Sequence, residues 1–458
     1  MRRLFLLFFV CCVSIAKAEI TLPSIFSSNM VLQREATVDF FGWAHPGEEF
    51  TISTGWDSKV HSVKTPITGK WKVSVETSGA GGPYKIAFKG DSNEILLDNI
   101  LIGEVWLCSG QSNMEWSANS GLDNKEEAIA SSNKPTIRLF TVEKRTADHP
   151  QDDLAGTWQV CSPETMPDFS AVAYFFAERL QEEMDVPIGL IDSSWGASCA
   201  EVWTPEEEFD KNPALQEAYE LIKPNPWVPI EKSILYNAMI APLTSFKISG
   251  TLWYQGESNT ANAESYENTF GTLINSWRDK WGYDFPFYYV QIAPYKYGRE
   301  YEGGIVRDQQ RRTLSLPNTG MTMTSDICTV DDIHPRNKKD VGIRLANIAL
   351  KQQYDVLDTT VYGPLFDKAE AIGDKVMVHF LHNEGLTVKG KNLEHFEVLS
   401  SDGTWYPAKA KIKNGIVTVQ AKEAKEPKMV RYAYRSTDIP NLFNSVGLPA
   451  STFISEEL

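Results

Sequence analysis

Cysteine is scarce in this chain, with six in 458 residues, and two of those, Cys11 and Cys12, fall in the first 18 residues. There is no Cys-x-x-Cys and no His-Glu-x-x-His, so nothing supports a metal centre, and neither metal nor cofactor is expected. No Gly-x-Ser-x-Gly occurs, which argues against the nucleophile elbow of an α/β-hydrolase. Past the N-terminus no apolar run approaches the roughly 18 residues that a spanning helix needs. Basic residues are outnumbered, 44 against 60 acidic, for a formal charge of -16. Such a surface repels nucleic acid and anionic membranes, and neither is expected as a partner.

What is present begins with "MRR", the apolar stretch "LFLLFFVCCVSI" and the small-residue pattern "AKA" ending at Ala18. This reads as a cleaved secretory signal over residues 1–18, leaving a soluble exported chain, periplasmic or secreted, that inserts in no membrane. Its loss removes Arg2, Arg3 and Lys17 and takes the charge from -16 to -19. The four remaining cysteines, Cys108, Cys161, Cys199 and Cys328, allow two disulfides in three pairings. The alternative, favoured here, is small core-filling thiols, since Cys108 lies in a strand-like run and Cys199 lies close to Gly196.

Three rhythms divide the chain. Over 19–98, short alternating runs such as "TVDFFGW", "EEFTIST" and "WKVSVET" are split by turn clusters, which predicts an N-terminal β-sandwich. Over 99–354, strand candidates such as "EVWLCSG", "PIGLIDSS" and "ISGTLWYQ" alternate with helical stretches such as "AVAYFFAERLQEEM". That pattern predicts an α/β domain with a parallel sheet covered by helices, whose ligand crevice lies beyond the carboxyl ends of the strands. Over 355–458 the text returns to β, giving a C-terminal β-region expected to pack on the first sandwich.

Gly-x-Ser-Asn occurs twice, at 110–113 and at 256–259, each time just after a strand candidate. Glycine, serine and asparagine are ordinary turn formers, so either copy alone is as well explained by a turn. Acyl transfer by serine also needs a base, a group that orients it, and donors for the oxyanion. Of seven histidines, only His334 lies late in the α/β region, in "DDIHPRNKKDVGIRLA". Asp331 stands three residues before it and Asp332 is the alternative partner. Ser258 follows Glu257, whose charge would oppose an oxyanion, whereas Ser112 follows the neutral Gln111.

The ordered set "GQSNMEW", "GLIDSSWGASCAEVW", "LYNAMIAPL", "GTLWYQGESN" and "DDIHPRNKKDVGIRLA" resembles the sialate O-acetylesterase family of carbohydrate acetylesterases, within the SGNH (GDSL-like) superfamily. The likeness runs nearly the full length, from "FSSNMVLQR" to "LFNSVGLPASTF". It implies an SGNH-hydrolase-like three-layer domain flanked by β-sandwich regions. By the same resemblance Ser112 is the nucleophile, His334 the base and Asp331 its orienting acid, with the family often carrying that aspartate where Asp332 stands. The oxyanion donors are then the backbone N–H groups of Ser112 and Gly196 and the amide of Gln255, with Asn259 behind it. Glu257 is expected to brace its loop.

The implied activity is release of O-acetyl groups from sialic acids through an acetyl-serine intermediate. Acetylxylan or another acetylated polysaccharide is the alternative substrate, and a non-catalytic glycan-binding protein is the alternative function. Arg307 is the candidate anchor for a sugar carboxylate, unless it serves a structural ion pair. Trp106, Trp116, Trp195, Trp203 and Trp253 crowd the motifs and are candidates for stacking on sugars or for the core. Oligomeric state is left open.

Overall fold

The strand Glu94–Gly110 (β1) changes character along its length: Glu94 and Leu96 are exposed near its start, and every residue from Ile100 onward is buried. The computed structural model, which describes residues 19–458, shows why. The first half pairs antiparallel with Gly81–Lys89 in the N-terminal β-region, with Tyr84 opposite Ile100 and Phe88 opposite Ile95. The second half lies at the centre of a largely parallel sheet, covered on both faces. One continuous strand therefore runs through the expected boundary between residues 98 and 99. The signal expected over residues 1–18 lies outside the described residues.

The other strands of the central sheet are Lys134–Thr141 (β2), Trp158–Cys161 (β3), Ile188–Ser194 (β4), Gly250–Tyr254 (β5), Phe287–Val290 (β6) and Thr319–Thr322 (β7). Their spatial order is β7-β6-β5-β1-β4-β2-β3. All neighbours are parallel except β3, which pairs antiparallel with β2 at the edge. Chain direction across the sheet reverses at β1, so the crevice at its carboxyl end is the switch point where ligands bind in such sheets.

Successive residues of each strand point to opposite faces and feed two separate cores. Trp106, Cys108, Leu252 and Tyr254 pack with Ala171–Met184 (α1) and Lys338–Gln352 (α2), through residues such as Val172, Phe176, Val341 and Leu345. Leu107, Trp253 and Phe287 pack on the other face with Phe270 and Trp277 of Tyr266–Trp281 (α3). The result is helix, sheet and helix in three layers. Helix α1 starts where the Ser170 hydroxyl accepts from Ala173 N–H and stops where Asp185 turns left-handed at φ 51°.

The C-terminal β-region is a seven-stranded sheet, antiparallel in every pair, whose core includes Val376, Val378, Val417 and Val419. It docks on the helix Glu302–Arg312 (α4) of the central layer, where Asp308 accepts from Ile454 N–H. Cys108, Cys161 and Cys199 are buried free thiols, and Cys328 is free and half-buried.

Candidate active site

At the end of β1 the backbone must pass very close to β5. A Cβ on Gly110 would lie 2.2 Å from the Tyr254 carbonyl oxygen, and Gly110 has φ +138°, so only glycine fits. The chain then turns into the short helix Ser112–Glu115, with Ser112 first, where a backbone N–H has no intrahelical acceptor. His334 arrives on the loop between β7 and α2. Its Nε2 lies 2.9 Å from Ser112 Oγ, within reach for proton transfer. Ser258 makes no hydrogen bond to a histidine among the described residues, although it lines the same cavity as His334; its N–H donates to Gln111 Oε1 at 3.2 Å.

The groups that hold His334 are not those expected. Asp331 is turned to solvent and ion-paired with Lys296, so it does not reach the imidazole. Asp332 instead accepts from the His334 backbone N–H at 2.9 Å, and the imidazole makes no ion pair with a carboxylate among the described residues. The ring is steadied by Trp116, stacked on it with centroids 4.4 Å apart. The loop itself is clamped by Asn113, whose amide donates to the Ile333 carbonyl at 3.0 Å.

Asn113 is the centre of a buried network under the pair. Its amide also donates to Glu257 Oε1 at 2.6 Å, and its carbonyl accepts from the Lys338 ammonium. Glu257 thus braces its loop against the serine turn. Lys338 is fully buried, near the faces of Tyr254 and Trp116, and burial pushes it down to about 7. Burial pushes the Glu257 carboxyl up, resisted by the Asn113 hydrogen bond and the charge of Lys338. The His334 imidazole is held below its usual value, first by burial and then by the Lys338 charge, against the pull of Asp332. A base kept neutral suits proton abstraction from serine.

Gln255 is not an oxyanion donor in this arrangement. It is fully buried, and its amide donates to Ser198 O at 3.2 Å and Asn259 Oδ1 at 2.7 Å while its carbonyl accepts from Tyr266. Asn259 is equally occupied, donating to both oxygens of the buried Glu201. Four polar groups satisfying one another in a dry interior leave nothing aimed at Ser112. Gly196 does reach the serine, since a Cβ placed on it would lie 3.4 Å from Ser112 Cβ. Its N–H donates at 2.7 Å to Glu115 Oε2, whose other oxygen holds Lys144 Nζ. A carboxylate oxygen therefore occupies the Gly196 N–H, the donor expected for an oxyanion.

Arg307 is not at the site. It is fully buried in α4 and donates to Thr452 Oγ1, Ser436 O, Ala433 O and Arg435 O, which fastens the C-terminal sheet to the central layer. Trp106, Trp203 and Trp253 are core residues. Trp195 carries Lys144 over its ring, 5.6 Å from the centroid.

Asn113, Glu115, Lys144 and Lys338 are site residues that sequence reasoning missed, as is Trp227, which lines a cavity with Ser112 and His334. Lys338 left one signal: a lysine opening a helix opposes the helix dipole, so it needs another reason to be there. Trp227 left another, as a tryptophan set among prolines in "KPNPWVPI" rather than in an apolar run.

Residues 102–351 match the family model described as "Carbohydrate esterase, sialic acid-specific acetylesterase". Sialate O-acetylesterase of Mus musculus is 29% identical over 452 residues, covering 84% of this chain and 83% of that protein. The Homo sapiens protein of the same name is 29% identical over 427 residues, covering 84% and 81%. The crystal structure of a carbohydrate acetylesterase from Xanthomonas citri superposes with TM-score 0.88 at 34% identity, covering 96% of this chain and all of that one.

Proposed function

The chain belongs to the carbohydrate esterase family of sialic acid-specific acetylesterases, hydrolases of carbohydrate O-acetyl groups, and from that premise we propose its reaction course and its substrate. Ser112 Oγ attacks the acetyl carbonyl while His334 Nε2 takes its proton. The tetrahedral intermediate collapses by breaking the bond to the sugar oxygen, which leaves with the proton from His334. Water, deprotonated by the same nitrogen, then attacks the acetyl-serine; the second tetrahedral intermediate breaks its bond to Ser112 Oγ, which takes the proton back from His334, and acetate is released. One observation carries this reading: the 2.9 Å contact between Ser112 Oγ and His334 Nε2 at the switch point of the sheet.

The pair acts as a dyad whose histidine is oriented by Trp116 and by its own loop. The oxyanion donors are the N–H groups of Ser112 and, once Glu115 gives it up, Gly196. We read the fold as SGNH-type on the positions of Ser112 after the central strand and His334 before the last helix of the layer, and the chain as exported on its first 18 residues.

Sialic acid O-acetyl esters are the proposed substrate, by membership of the family. The burial of Arg307 favours a second reading, a neutral acetylated sugar such as acetylxylan, because the cation that reaches the cleft, Lys144, is already paired with Glu115. Acetate release from O-acetylated sialic acid and from acetylated xylan, measured side by side, decides between them. Ser112→Ala should lower either rate by roughly four or more orders of magnitude. If Ser258→Ala is the dead variant instead, the nucleophile is misassigned.

A further inference from the structure

Of the chain's 13 tryptophans, Trp227 alone is exposed, at 78% of its surface. An indole in water forfeits a large apolar burial, so its position asks for a reason. The loop that carries it is not slack. Pro224, Pro226 and Pro229 restrict its backbone, the Asn225 side chain accepts from Trp227 N–H at 2.9 Å, and the adjacent Val228 is buried in the core. Anchoring Val228 presents Trp227 outward.

Trp227 lines a half-open cavity of about 400 Å³ that also contains Ser112, Gly196, Trp195 and His334. A second cavity of about 440 Å³ flanks Ser112 on the side of Glu115, Trp116 and Asp192, and His334 does not line it. The two differ in what they can do. The departing sugar oxygen must receive its proton from His334 Nε2, so the sugar has to lie in the cavity that His334 lines. A sugar ring offers an apolar C–H face and a polar rim, and this cavity offers an indole together with the polar groups of Lys144, Ser258 and Gln111.

We propose that Trp227 is the stacking platform for the departing sugar ring, and so a specificity-determining residue of the esterase. The inference rests on the carbohydrate esterase reading above. It needs no new chemistry: the platform binds the ring whose oxygen His334 protonates.

The test compares the full chain with Trp227→Ala and Trp227→Tyr on O-acetylated sialic acid, on acetylated xylose and on vinyl acetate, which has no ring to stack. With Trp227→Ala, kcat/KM for the acetylated sugars should fall relative to vinyl acetate by roughly tenfold to a hundredfold, mostly through KM, the equivalent of losing one buried aromatic face. Trp227→Tyr should recover most of that ratio. An unchanged ratio overturns the proposal, whether both substrates suffer equally or neither does. If the wild type hydrolyses vinyl acetate but releases no acetate from any acetylated sugar, the carbohydrate reading itself fails and takes the platform with it; that case is recognised because the defect is already present before mutation.

Discussion

The Trp116 indole lies over the His334 imidazole with ring centroids 4.4 Å apart and planes 21° from parallel. Four residues after Ser112 in sequence, it lies against the proposed base and, in the proposed dyad, takes part of the orienting role that the carboxylate plays in a triad. Its own N–H is tied to the Gly121 carbonyl at 2.8 Å, so the platform is itself held. Trp116→Ala should therefore lower kcat by roughly tenfold to a hundredfold with a smaller change in KM, since a misplaced base loses transition-state geometry more than binding. Trp116→Phe should retain most activity. A Trp116→Ala enzyme with unchanged kcat removes the orienting role.

Asp331 and Asp332 are adjacent in the chain and differ in their surroundings. The Asp331 carboxylate is 72% exposed and paired with Lys296, an arrangement of little energetic consequence. Asp332 caps the His334 N–H and lends the imidazole a favourable charge. Asp331→Asn should change kcat/KM by no more than about twofold, and Asp332→Ala should lower it by about tenfold. A loss of three orders of magnitude in Asp331→Asn would show that the loop rearranges in the catalytic cycle to bring Asp331 onto the ring.

Burial, and after it the Lys338 charge, sets the acid side of the pH range. His334 must be neutral to accept the serine proton, so kcat/KM is present above its pKa and lost as pH falls through it. Burial and the Lys338 charge hold that pKa below its usual 6.5, which puts the acid limb below pH 6.5. Lys338→Met fills the same space without charge and removes a repulsion, leaving Asp332 as the charge that favours the imidazolium. The acid limb of the kcat/KM profile should move to higher pH. A limb that stays in place, or moves down, overturns the coupling.

The layered core was readable because its signals are local: period-two runs at both ends, apolar strands spaced by helices between them, and a glycine-serine turn after the central strand. The pairing of Ser112 with His334 was readable for a different reason, since one histidine alone lay late in the α/β region. What could not be read was the choice among neighbours. Asp331 and Asp332 look alike in a sequence, and only the folded loop shows Asp331 at the surface beside Lys296 and Asp332 turned onto the His334 N–H. Gln255 and Asn259 look like free amides until Glu201 and Tyr266, distant in sequence from one or the other, are found consuming them. Arg307 looked like an anchor because nothing local announces that residues 433–452 fold back over it.

Glu115 predicts a gain rather than a loss. Its carboxylate accepts from Gly196 N–H at 2.7 Å, beside the serine, and so competes with the oxyanion for that donor. Glu115→Gln keeps an acceptor but removes the negative charge and the pair with Lys144. On vinyl acetate kcat/KM should rise several-fold, because displacing a neutral amide costs less than displacing a carboxylate next to developing negative charge. A tenfold fall would instead make Glu115 a builder of the Gly196 loop.

Arg307 separates structure from substrate binding. Its guanidinium is fully buried, burial lowers its pKa, and its acceptors are three backbone carbonyls and one hydroxyl of the C-terminal region, with no ion pair among the described residues. Arg307→Ala leaves those acceptors unpaired and opens a cavity between α4 and the C-terminal sheet, which should cost about 3–5 kcal/mol and lower Tm clearly. Arg307→Lys should not rescue it, because one ammonium cannot reproduce a fork that reaches four acceptors. Where the variant remains folded, kcat/KM for O-acetylated sialic acid and for vinyl acetate should fall in the same proportion. A KM raised for the sialic acid alone, at unchanged Tm, would return Arg307 to the substrate and imply that the C-terminal region moves away from α4 when the sugar binds.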